Sequence, residues 1–258
     1  MKIFEIIGKK IIDALMFLGH LYSFFFKTVI AIFKPPFSLN EIFSQIVKIG
    51  YNSIPVVLIT AFFTGMVLAL QSGHMLDTKI DRVSKLMGGL VATSMVRELG
   101  PVLTGLIVTG KTGSSMAAEI GTMKVTEQID ALRTLATDPI QYLAVPRFLA
   151  SIVMLPALTL IADIVGILGG AVITVFTLNH TLSDFMEYMQ NYVGMGDVIG
   201  GVIKASVFGA IISIVSCAYG FATSGGAEGV GKSTTSAVVI SSMGILISDY
   251  FLTELLTM

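Results

Sequence analysis

From Ile54 to Leu70 the chain carries no charged side chain, and apolar stretches of similar or greater length recur from about Leu86, Leu143, Val198 and Thr235. These runs constrain folding more than any other feature. A bilayer's hydrocarbon core is about 30 Å thick, so a crossing helix needs roughly 20 mostly apolar residues with every backbone N–H and C=O satisfied inside the segment. The composition agrees: 54% of residues are hydrophobic and 13% charged, with a mean hydropathy of +0.86. The expected class is an all-α integral membrane protein. A net charge of −1 without a basic run gives no reason to expect a nucleic-acid partner, and the lone Cys217 excludes a disulfide framework or cysteine metal cluster.

At the start, Lys2, Glu5, Lys9, Asp13 and His20 fall at helical spacing on one side, with Ile3, Ile7, Ile11, Leu15 and Leu18 on another. This predicts a helix lying in the membrane interface and ending at Lys34-Pro35-Pro36. The charges at Glu5, Lys9, Lys10 and Asp13 interrupt the apolar core that a cleavable signal peptide requires. Glu41 to Tyr51 reads as a second surface helix, so residues 1–52 are expected to be interfacial and residues 53–258 to form a five-span bundle, all in one domain.

The spans themselves carry informative exceptions. The second holds Arg97-Glu98 followed by Gly100-Pro101, where the missing proline N–H predicts a kink. Charges at membrane depth cost roughly 2.5 to 3.5 kcal/mol each on insertion scales, and neighbours at i and i+1 point in different directions. The pair therefore lines a cavity or contacts substrate, or is satisfied structurally by neighbouring helices. The third span, Leu143 to Phe176, contains Pro146, Pro156 and Asp163. The fourth, Val198 to Ala222, is rich in small residues at Gly200-Gly201, Ala205-Ser206 and Gly209-Ala210, which permits close helix packing. The fifth runs from Thr235 to about Leu252, with Asp249 and Glu254 near its far end.

The longest polar interval, Ala117 to Leu135, is closed by Asp138-Pro139. Thr126 is the expected N-cap, Glu127 and Asp130 suit the first turn of a helix, and Arg133 suits its end. At about 1.5 Å per residue this helix measures roughly 15 Å, half of what a membrane crossing needs. It is expected to present an apolar ridge of Ile129, Leu132 and Leu135 or Ala136, flanked by carboxylates. Helices resting on lipid usually carry Lys and Arg on their polar face, so an acidic start suits a protein partner better. Eleven Lys and Arg residues accompany the ends on this side, against Lys79, Arg82 and Lys85 on the other. The positive-inside rule then places the N-terminus and this helix in the cytoplasm.

Two motif matches lack the context their chemistry needs. Gly226-Ala227-Glu228-Gly229-Val230-Gly231-Lys232-Ser233 fits the Walker A pattern, but a working phosphate loop joins a buried strand to a helix, whereas this stretch joins two spans and reads as a tight inter-helix loop. Gly194-Met195-Gly196-Asp197 matches the G-x-G-D of intramembrane aspartyl proteases, with Asp163 as partner, but Asp197 falls where a helix N-cap is expected.

Glu127-Gln128-Ile129-Asp130-Ala131-Leu132, together with Arg97-Glu98-Leu99-Gly100-Pro101-Val102-Leu103 and Gly229-Val230-Gly231 before Ser233-Thr234-Thr235, resembles the MlaE-type permease family, the membrane subunits of MCE-associated lipid transporters. The resemblance covers nearly the whole chain; Lys232-Ser233 is a departure that creates the Walker match. It implies a permease domain whose residues 127–132 form the coupling helix that docks on a cytoplasmic ATPase. It further implies a homodimer, two ATPase subunits that hold ATP and magnesium, an MCE-domain ring, often a STAS-domain protein, and phospholipid as substrate in a bacterial inner membrane. This chain would then carry no catalytic residue, cofactor or metal of its own, and Arg97 and Glu98 are its candidate cavity residues. The alternatives are an intramembrane aspartyl hydrolase on Asp163 and Asp197, and an ion-coupled secondary transporter with its ion at Glu98. A stoichiometric ATPase in the purified complex separates the first reading from both.

Overall fold

The computed structural model describes residues 2–35, 39–77, 87–178 and 181–257, and among these there is helix and no β-strand. Five helical runs are long and apolar enough to cross a membrane: Leu39–Gly73, Met87–Val125, Ile140–Phe176, Met195–Phe221 and Gly226–Leu256. The number is the one expected from sequence. Lys79, Arg82 and Lys85, which enter the expected orientation, lie outside the described residues.

Helix α1 (Lys2–Ile32) precedes the bundle, and the side chains of Lys2, Glu5, Lys9 and Asp13 lie outside the described set. Its second half rests on one end of the bundle. Phe24 meets Phe221 with ring centroids 5.6 Å apart, Phe25 meets Phe148 at 6.3 Å, and Gln141 Nε2 donates to the Lys34 carbonyl at 2.6 Å. The break expected near residue 52 is a single 3₁₀ turn, Tyr51–Ser53, between α2 (Leu39–Ile49) and α3 (Ile54–Asp77). Helix α2 belongs to the bundle: Ile49 is fully buried in one cluster with Leu155 and Leu158.

The second run is α4 (Met87–Ser94), α5 (Gly100–Val108) and α6 (Ser114–Val125), joined by π-helical turns at Met95–Leu99 and Thr109–Gly113. A short helix α7 (Gln128–Thr134) follows, then a third π-turn, Ile140–Ala144, that opens α8 (Val145–Phe176). Amphipathic α9 (Leu182–Tyr192) leads into α10 (Met195–Phe221), and α11 (Gly226–Thr257) completes the bundle.

Close approach of backbones is what lets these helices associate without a hydrophobic driving force in lipid. Helices α3 and α8 make the most extensive contact, and a Cβ added at Gly65 would overlap the Gly166 carbonyl. On α10, a Cβ at Gly209 would stand 2.6 Å from the Ser151 carbonyl. Val108, Met116, Leu155, Phe208, Ile212 and Ile245 fill the centre from α5, α6, α8, α10 and α11. Outward-facing Ile59, Phe63, Ile164 and Phe251 are all more than half exposed, the pattern of a surface solvated by hydrocarbon rather than water.

Candidate functional site

Helix α7 is shorter than the sequence suggests, and its start lies one residue later. Thr126 does not cap it; its Oγ1 donates back to the Thr122 carbonyl at 2.8 Å, finishing α6. The cap position is Glu127, held left-handed at φ 61°. Seven residues give a helix of about 10 Å. At the other end Ala136 is also left-handed, at φ 57°. There Thr137 N–H donates to the Leu132 carbonyl at 3.0 Å and Ala136 N–H to Arg133 at 3.0 Å, a Schellman closure built on alanine where glycine is usual. Glu127 and Ala136 are the two non-glycine residues with positive φ among the described residues. The left-handed region costs a residue with a Cβ about 1–2 kcal/mol, so both ends of α7 are held against local preference by the surrounding structure.

The expected outward apolar ridge is corrected by the structure. Ile129 is fully buried and Leu132 packs beside it, in a cluster with Ile120, Leu143 and Cys217, so these side chains fasten α7 to its own bundle. What faces outward is Glu127, Gln128, Ala131, Thr134 and Leu135, the last 74% exposed. Asp130 is half-buried and clasped from both sides, by Lys124 at 3.1 Å and Arg133 at 3.0 Å.

At the opposite end, Arg97 and Glu98 diverge as helical geometry requires. Arg97 Nε donates to Asp197 Oδ1 at 2.7 Å, and Asp197 Oδ2 accepts from the Gly194 N–H at 2.9 Å. Asp197 is therefore at the third position of α10, with Gly194 rather than Asp197 at the cap. Glu98 turns to Lys204, whose ammonium is 2.8 Å from Glu98 Oε2, 2.9 Å from the Arg97 carbonyl and 2.7 Å from Thr253 Oγ1. Those three contacts use all three ammonium hydrogens. Asp249 Oδ1, at 3.1 Å, adds an ion pair without an aligned hydrogen bond. The proline explains the arrangement. Pro101 has no N–H to give the carbonyl four residues earlier, which is that of Arg97, and Lys204 supplies the missing donor.

Lys204 is the residue sequence reasoning missed. A lone lysine inside the apolar Val198–Ala222 run is itself the signal, because such a charge is costly unless paired. Glu119 and Arg147 were missed for the same reason: Arg147, 5% exposed, donates to Glu119 Oε2 at 2.9 Å and to the Leu143 carbonyl at 2.8 Å.

The cavity beside Arg97, Glu98, Lys204 and Thr253 is only about 40 Å³. That suits a water, not a lipid head group. Asp163 is 5% exposed with Oδ1 against Gly100, while both oxygens of Asp197 are engaged elsewhere, so no shared-proton pair of carboxyls is formed by these two. The Walker-like stretch, expected as a loop, is instead the first two turns of α11. Left-handed Gly225 precedes it and left-handed Gly226 opens it, and Lys232 pairs with Glu228 at 2.7 Å on an exposed face. Amides of a continuous helix are spent on their own carbonyls beyond the first turn, so this stretch cannot cradle phosphates as a loop does.

Comparison with known proteins fits this architecture. The family model described as Permease MlaE matches residues 42–255. Over 258 residues the chain is 48% identical to a probable ABC transporter permease protein of Rickettsia typhi, covering 99% of this chain and 98% of the relative. It is 40% identical over 228 residues to the chloroplastic protein TRIGALACTOSYLDIACYLGLYCEROL 1 of Arabidopsis thaliana, covering 88% of this chain and 65% of that one. It is 34% identical over 255 residues to the intermembrane phospholipid transport system permease protein MlaE of Haemophilus influenzae, covering 97% and 95%. The match runs from α2 to the last turns of α11 and takes in both α7 and the Arg97–Lys204 cluster, and this multi-pass membrane protein belongs to the MlaE permease family.

Proposed function

We propose that this chain is the permease subunit of an ATP-binding-cassette transporter that moves phospholipid between the bacterial inner membrane and an extracytoplasmic MCE-domain partner. Membership of the family and the names of its relatives support the transporter class and the lipid. The observation that carries the coupling part of the reading is α7. It is a short helix outside the spans, fastened inward by Ile129 and Leu132 and fixed at both ends, leaving Glu127, Gln128, Ala131 and Leu135 for a partner.

In this reading two cytoplasmic ATPase subunits bind ATP and magnesium, and a STAS-domain protein joins them. The permease contributes no catalytic residue. The basic residues gathered at the α7 end support a cytoplasmic N-terminus. Arg97 engages Asp197 through Nε alone among the described residues, so its two terminal NH₂ groups suit a lipid phosphate. The 40 Å³ beside it is too small for a head group, and in this reading a second copy, in a homodimer, completes the chamber. Glu98, by contrast, already has Lys204 as its counter-charge, which gives a coupling ion little to do there.

The test reverses charge on α7 with Glu127→Lys/Asp130→Lys, and with Glu127→Lys alone, which disturbs no ion pair among the described residues. Both variants should insert normally and lose ATPase co-purification or lipid transfer, the double variant more severely. Full transfer and full ATP turnover in the double variant would refute the assignment.

A further inference from the structure

The α7 end of the bundle also holds a cavity of about 260 Å³, between α2 and the junction of α5 with α6, that neither α7 nor the Arg97 cluster uses. Polar and cationic groups gather in its lining, beside Met116 and the aliphatic stems of the lysines. Lys48 and Asn52 come from the α2 side, and Lys111, Ser115 and Glu119 from the π-turn and α6. Gln45, only 4% exposed, lines it as well. The two walls are tied by the Ser53 and Thr112 hydroxyls, 3.3 Å apart, and by the Lys111 ammonium donating to the Asn52 carbonyl.

The charges here do not balance. Among the described residues Glu119 is the one carboxylate in the lining, and both its oxygens are taken: Oε1 by Lys48 at 3.3 Å and Oε2 by Arg147 at 2.9 Å. In the lining Lys48 and Lys111 stand against one carboxylate, and that carboxylate is also paired from behind by Arg147, which does not line the cavity, so both lysine charges lack a carboxylate of their own there. Each ammonium has three N–H donors. Among the described residues Lys48 has one engaged on Glu119 and Lys111 one on Asn52, which leaves four of the six. At about 30 Å³ per water-sized group, the space holds roughly eight such groups, enough for a phosphate and a small alcohol esterified to it. Lysine binds phosphate as a point charge, and the amides of Gln45 and Asn52 and the hydroxyl of Ser115 offer neutral donors beside it.

We propose that this crevice is a binding site for a phosphate-bearing anion seated between Lys48 and Lys111. Two sources share that chemistry: the phosphate diester of an anionic lipid head group, and free phosphate from solvent. An occupant would bridge α2 to the root of α6, the helix whose far end leads into α7. The site does not rest on the transport reading, because binding is measured without ATP or transfer.

The experiment uses the full-length chain in a neutral maltoside detergent, in an Arg97→Ala background that removes the guanidinium from the candidate substrate site and leaves there only Lys204, whose ammonium hydrogens are engaged. Dihexanoylphosphatidylglycerol and inorganic phosphate are titrated separately by calorimetry, with native mass spectrometry to count bound molecules. One saturable site per chain is expected, weakened about tenfold or more in Lys48→Gln/Lys111→Gln and kept within about threefold in Lys48→Arg/Lys111→Arg. Binding of the lipid alone assigns the head group as the source, and binding of both probes assigns the phosphate itself. The proposal is overturned if neither probe binds saturably, if the glutamine variant binds as the parent does, or if the arginine variant loses binding as fully as the glutamine variant.

Discussion

Replacing Lys204 by methionine keeps the length of the side chain and removes its charge. The loss would leave Glu98 and Asp249 facing each other without their shared cation, and the Arg97 carbonyl without the donor that stands in for Pro101. Removing one partner of a buried ion pair costs about 3–5 kcal/mol. Glu98 is 40% exposed and Asp249 18%, so solvent screening reduces this to about 2–3 kcal/mol. In the folding equilibrium that is a factor of roughly 30 to 150. The chain lacks tryptophan, so unfolding is best followed by circular dichroism during a reversible denaturant titration in mixed micelles. Adding Glu98→Gln to Lys204→Met restores charge balance and should recover about half of the loss or more. A single Lys204→Met variant within about 0.5 kcal/mol of the parent would refute the claim that this lysine is what makes the cluster tolerable.

Three further outcomes are expected. Ala136→Gly relieves a left-handed alanine and should slow hydrogen exchange of the amides from Arg133 to Thr137 by about two- to fivefold, a gain of roughly 0.5–1 kcal/mol; unchanged or faster exchange contradicts the strain. The isolated chain should bind no ATP, and Lys232→Ala should leave ATP hydrolysis by the assembled complex within about twofold, since the lysine pairs with exposed Glu228; saturable nucleotide binding lost in that variant would reverse the reading. Arg97→Ala should reduce lipid transfer more than complex yield, whereas Glu98→Ala, which strips Lys204 of one counter-charge, should lower both; normal transfer with normal bound lipid in both variants removes the pair from the lipid path.

The spans were legible because lipid demands long apolar runs and the chain cannot disguise them. The divergence of Arg97 and Glu98 was legible too, from the 100° step between neighbours on a helix. Their partners were not. Asp197 lies 100 positions from Arg97 and Lys204 lies 106 from Glu98, and only the packing of α10 against the second run brings them near. The α7 segment shows the same limit more sharply. Its periodicity placed Ile129 and Leu132 together on one face, yet periodicity does not say whether that face looks outward or inward, and the pocket formed by Ile120, Leu143 and Cys217 decides for inward. The left-handed residues at its ends left no trace in composition, since neither Glu127 nor Ala136 is a residue type that seeks positive φ.

Those two residues have a mechanical consequence. A helix with ordinary ends can take up or give back a turn at either terminus, and a force applied to it is partly absorbed by winding. Helix α7 lacks that freedom, because propagation in a right-handed helix stops at a left-handed residue, and one stands at each end. Asp130, paired with Lys124 from α6 and with Arg133 from within, adds a tie between the two segments. A displacement imposed on the exposed face therefore reaches Ile120 and Leu143 as movement of a rigid link without slack, and arrives at the last turns of α6 and the start of α8 in the same stroke.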